Sequence, residues 1–108
     1  MQLRNPFSSE TRLLFDVWIC WQCGQNGQHR GGLELHHIRG RSSNSPLNGA
    51  ILCHTCHEKI LHTQEEEMEL LNKTILYLHS KGYRWTDKDV EFLRANERLI
   101  KNNPIANI

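Results

Sequence analysis

Two Cys-x-x-Cys pairs, Cys20–Cys23 and Cys53–Cys56, contain all four cysteines of the chain and are separated by residues 24–52. Thiolates so spaced close a tetrahedron around one zinc ion, at about 2.3 Å per Zn–S bond, and leave no coordination position open. The pattern predicts a structural metal that staples distant segments together. The remaining composition makes such a staple valuable. With 108 residues, 38% of them hydrophobic, and a mean hydropathy of −0.60, the chain can build only one small core. Small cores are commonly supplemented by a metal.

Residues 1–19 carry Arg4, Glu10, Arg12 and Asp16 and lack the apolar stretch of a secretory signal. No apolar run approaches the roughly 20 residues of a membrane helix. The expected setting is the cytoplasm, where paired cysteines favour metal thiolates over disulfides. The formal net charge is only +1, but the stretch from Gly24 to His62 is locally basic. It holds Arg30, Arg39, Arg41 and Lys59 against Glu34 and Glu58, together with six of the seven histidines. That balance suits a polyanionic partner.

Hydrophobic spacing organises the chain as one α+β domain over residues 1–108. Residues 9–19 read as an amphipathic helix, with Leu13, Leu14, Val17 and Trp18 on its apolar face and Ser8 or Ser9 as its cap. Leu33–Ile38 alternates as a strand, and Ala50–Leu52 is a returning strand after a polar loop from Gly40 to Gly49. The Cys53–Cys56 knuckle follows, with His57 opening a helix to about Leu61. Thr63 and Glu66 form a capping box for a second helix with a Met68, Leu71, Ile75 and Leu78 stripe, stopped near Gly82. Thr86 and Asp89 repeat that signal for a third helix, carrying Val90, Leu93 and Ile100 to about Lys101. The C-terminal helices serve as scaffold, position a partner or form a homodimer face, alternatives the sequence leaves open.

The histidines carry chemistry that a closed cysteine site does not need. On a strand, successive side chains point to opposite faces. His36 and His37 therefore divide their labour: one can ligate a metal while the other works as a base near neutral pH. His57, fixed beside the knuckle, is placed to meet His36. His62 lies five residues further on, off the helical face of His57, and becomes a ligand only if that helix ends early. Asn48 can tie two loop segments together or accept the Nδ1–H of a base histidine.

The series Cys20-Trp-Gln-Cys23, Leu33-Glu-Leu-His-His-Ile38, Pro46-Leu-Asn-Gly-Ala-Ile-Leu-Cys53 and Cys53-His-Thr-Cys56-His-Glu-Lys59 resembles the HNH (His-Asn-His, ββα-metal) endonuclease family in its four-cysteine form. The match spans about residues 12–62, and residues 63–101 form a helical extension. The resemblance implies a zinc-stapled ββα-metal core and a nuclease that hydrolyses DNA, most simply duplex DNA, in a bacterial or phage setting. It implies His37 as general base, Asn48 as the middle asparagine, and His36 and His57 as ligands of one catalytic divalent ion. Neutral nitrogen ligands suit Mn²⁺, Ni²⁺ or Zn²⁺, with Mg²⁺ favoured by abundance. Arg39 and Arg41 would clamp phosphates. Many family members have a further ligand three or four residues after the helical histidine. Here those positions hold Ile60 and Leu61, leaving His62, water or a substrate phosphate. The rival expectation is a non-catalytic, zinc-stapled nucleic-acid-binding module on the same fold. A protein-interaction adaptor is a third.

Overall fold

The computed structural model describes residues 7–16, 19–26, 32–40, 43–100 and 103. Within them a two-stranded antiparallel sheet and five helices share one core. They are α1 (Ser9–Leu13), β1 (Leu33–His37), a 3₁₀ turn (Pro46–Asn48), β2 (Gly49–Cys53), α2 (His54–Lys59), α3 (Gln64–Ser80), α4 (Asp87–Ala95) and α5 (Glu97–Ile100). The α+β class expected from the sequence is present. None of these helices is long and apolar enough to cross a membrane.

The hairpin register sets the site. His36 pairs with Ala50 and His37 with Gly49, at the end of the ladder beside the 3₁₀ turn. β2 is buried along its whole length, against one buried position in β1. It therefore forms the central rib, with α3 laid across it through Leu70, Leu71, Ile75 and Leu78. Thr74 Oγ1 donates to the Gly49 carbonyl at 2.6 Å, satisfying a polar group inside this packing. Gly49 has a steric reason. A Cβ there would come within 3.0 Å of Leu35 Cδ1 and 3.3 Å of Phe7 Cζ.

Both capping boxes form, Thr63 with Glu66 and Thr86 with Asp89. Three element boundaries differ from the periodicity. The N-terminal helix stops at Leu13 rather than Ile19, and Val17 and Trp18 lie outside the described residues. Tyr77 supplies the reason: its hydroxyl donates to Leu14 O and accepts from Asp16 N, while its ring stacks on Phe15. A short helix has too little intrinsic stability to resist such a tertiary contact. Cys53 caps α2, so that helix begins at His54 rather than His57 and ends at Lys59. The third predicted helix divides at Asn96, whose side chain donates to Phe92 O at 2.8 Å and accepts from Arg39 Nε at 2.8 Å. Side-chain bonds of this kind compete with the helical ladder.

Asp89 connects the helical extension to the loop ahead of β2. It is 1% exposed, accepts from Ser45 Oγ at 2.5 Å through one oxygen, and from Tyr83 Oη (2.6 Å) and Thr86 N (2.8 Å) through the other. Burial, then Asp89, holds the Tyr83 phenol above its ordinary pKa, so it remains a donor. Replacing Asp89 with alanine leaves the buried Ser45 hydroxyl and the part-buried Tyr83 and Thr86 donors without their acceptor. We expect a loss of about 3 kcal/mol in urea unfolding of the zinc-loaded protein. A loss below about 1 kcal/mol would mean that the network is replaceable by water.

Candidate metal centres and histidine site

The four cysteines form no disulfide, and their sulfurs all lie within 4.8 Å of one another. Cys23 Sγ and Cys53 Sγ are 3.9 Å apart, close to the edge of a zinc–thiolate tetrahedron. Each knuckle turns a backbone N–H onto its first sulfur, Gln22 N onto Cys20 and Cys56 N onto Cys53, both at 3.3 Å. The first knuckle is tied to the hairpin by Trp21 N donating to Ile51 O at 2.9 Å, and to α3 by Lys73 Nζ donating to Trp21 O at 2.7 Å. Burial and then the neighbouring sulfurs of Cys53, Cys23 and Cys20 push the Cys56 thiol up to about 12. A cation held between the four sulfurs would favour the Cys56 thiolate that this crowding disfavours. The donor set fits a structural metal such as zinc.

His36 and His37 face opposite ways. His36 is buried, and its ring centroid lies 4.8 Å from that of His57 and 5.2 Å from that of His62. The early end of α2 brings His62 there. Ile60 is extended, His62 adopts a left-handed conformation (φ 57°), and Glu66 Oε1 holds the turn by accepting from Leu61 N and Thr63 N. The condition for His62 to join His36 is thus met by backbone geometry. The side chains of His57 and His62 remain 41% and 50% exposed, so the three-imidazole cluster opens to solvent.

Sequence reasoning missed Glu34. It lies two residues before His36 and therefore on the same strand face. Its carboxylate accepts from Nδ1 of His57 and, at 3.0 Å, from Nδ1 of His54. The His57 bond, more than the His54 bond, holds its carboxyl below the ordinary pKa against the opposing effect of burial. Glu34, followed by Glu58, raises the pKa of His54 in turn. With Nδ1 of His57 engaged by a carboxylate, Nε2 is the nitrogen that could ligate a metal.

The structure gives three expected site residues the following partners. Asn48 is fully buried, and its amide is committed to the loop: Oδ1 accepts from Arg39 N at 2.7 Å, and Nδ2 donates to the carbonyls of Gly40 and Ser43, each at 2.8 Å. Of its two predicted uses, the tie between loop segments is the one present; it makes Asn48 a positioning residue. His37 is bonded instead to Asn44, with Oδ1 3.0 Å from Nε2, and its ring stacks on Phe7 at 4.0 Å and 10°. Arg39 is no free phosphate clamp. Its guanidinium pairs with Glu67 and Asn96, walling a cleft of about 360 Å³ that His62 and Arg98 also line. Arg41 lies outside the described residues.

Among known proteins, no family model, no curated protein and no solved structure matches the chain.

Proposed function

We propose that this chain is a metal-dependent endonuclease of the HNH, ββα-metal kind that hydrolyses phosphodiester bonds in DNA. The observation that carries the reading is the meeting of His36, His57 and His62, from a strand, a helix and a strained turn, beside a cysteine-stapled hairpin. Their fit to a divalent ion rests on neutral nitrogen donors, a buried first member and the Glu34 carboxylate behind His57. Such an ion, once bound, would act as a Lewis acid toward the charge developing on the phosphate and leaving oxygen.

The chain's own residues supply the proton chemistry. His37 follows His36 directly but faces the other way, so in this reading the phosphodiester lies across the end of β1, with the imidazole cluster on one side of it and His37 on the other. His37 takes a proton from the attacking water as its oxygen bonds to phosphorus. The bond from phosphorus to the 3′ oxygen breaks, and that oxygen leaves with the electron pair and takes a proton from solvent water, while His37 returns its own proton to solvent. The products are a 3′-hydroxyl and a 5′-phosphate. Asn48 braces the backbone of Arg39, Gly40 and Ser43 beside this centre.

The non-catalytic module on the same fold has one observation in its favour. Among the described residues, the four sulfurs are the one set of potential ligand atoms gathered as tightly as a bound metal requires. The imidazoles must close further. Titrating zinc-loaded protein with Mn²⁺ decides whether they do. We expect saturable paramagnetic broadening of the His36, His57 and His62 ring signals, and about 10–100-fold weaker uptake after Glu34→Ala. Mn²⁺ uptake that leaves those three rings sharp would favour the module.

A further inference from the structure

We infer that Asn44 is the residue that orients His37, a role that is one of two uses the sequence leaves open for Asn48. This rests on His37 being the base of the proposed reaction. The loop that supplies Asn44 is pinned on both sides. Ser43 O accepts from Asn48 Nδ2 at 2.8 Å, and Ser45 Oγ donates to the buried Asp89 at 2.5 Å. Ser45 N also donates to Ser43 Oγ at 3.1 Å, closing the turn around Asn44. Asn44 is thereby carried to the edge of the His37 ring, while Phe7 covers one ring face.

An amide oxygen at Nε2 selects between the two tautomers of a neutral imidazole. The proton resides on Nε2, donated to Asn44 Oδ1, and Nδ1 keeps the lone pair. The stacked phenyl and the hydrogen bond together remove the ring's rotational freedom, so Nδ1 is held in one direction. A general base needs that directional constraint because proton transfer requires hydrogen-bond reach of the water. The loop thus divides two tasks between two asparagines: Asn48 braces the backbone, and Asn44 grips the imidazole. The buried Asp89 anchors the segment that does so.

The test compares Asn44→Ala with Asn44→Asp, which keeps an acceptor oxygen at the same position. In histidine-labelled, zinc-loaded protein, the His37 Nε2–H signal should be visible and slow to exchange in the wild type and in Asn44→Asp. It should be lost to rapid exchange in Asn44→Ala, with the backbone amide spectrum otherwise unchanged. With plasmid DNA, Asn44→Ala should lower kcat about 10-fold at unchanged KM, the lower end of what general-base catalysis contributes being about 100-fold. Asn44→Asp should recover most of that loss. A His37 Nε2–H unaffected by Asn44→Ala would overturn the assignment, as would a proton found on Nδ1 in the wild type. Equal kinetic losses in Asn44→Ala and Asn44→Asp would also reject it. Should the wild type cut no DNA, the proposed reaction fails, while the exchange measurement still decides whether Asn44 holds His37.

Discussion

Removing zinc from this protein should unfold it. Structural zinc sites contribute about 10 kcal/mol or more of folding free energy, comparable to the whole 5–15 kcal/mol net stability of an ordinary domain. Here the ion would join segments the rest of the core ties weakly. The first knuckle meets the hairpin and α3 through only a few backbone and side-chain bonds, among them those of Trp21 and Lys73. Without the ion, Cys20, Cys53 and Cys56 remain as buried thiols in the middle of the core. Far-ultraviolet circular dichroism during titration with a strong chelator should show cooperative loss of helix, restored by one equivalent of Zn²⁺. Cys56→Ser should behave as the stripped protein does. A chelated protein that keeps its spectrum and melts within a few degrees of the loaded form would show that the cysteines do not hold the fold.

The second large effect should come from His37. Replacement by alanine removes the group assigned to accept the water's proton, and general-base catalysis contributes about 10²–10⁴-fold. We expect cleavage to fall within that range with zinc content and melting temperature retained. Stability should be little affected because His37 ends its strand, is half-buried and exchanges only a surface hydrogen bond with Asn44. The stacking on Phe7 contributes about 0.5–1.5 kcal/mol. A matching substitution at His36 would be a poorer probe of chemistry, since that ring is buried within the fold and its loss would also create a cavity.

Much of this arrangement is legible in the sequence because it rests on local rules. The cysteine spacing anticipates a cluster that the folded chain brings together. Period-two alternation separates His36 from His37, and the two capping boxes locate α3 and α4. The same alternation could have identified Glu34, which shares a strand face with His36 and reaches His57. What sequence could not supply were contacts set by distant partners. Arg39 looks like a solvated loop cation until Glu67 of α3 and Asn96, between α4 and α5, close on its guanidinium. Asn44 is one polar residue among several in its loop; only Asp89 and Asn48, acting on its neighbours, decide that it faces His37. The left-handed backbone at His62 has no glycine to announce it, yet it determines whether a third imidazole joins the cluster.

The division of labour between a folding metal and a reacting histidine cluster is tested most directly by plasmid cleavage. Zinc-loaded wild-type protein would be incubated with supercoiled DNA with and without added Mn²⁺, beside the zinc-loaded His37→Ala variant. The account predicts nicked and linear products with 5′-phosphate ends from the wild type only when Mn²⁺ is added, and about 10²–10⁴-fold less from His37→Ala. Equal cleavage by both proteins, or none by a folded wild type that still binds the plasmid, would contradict it.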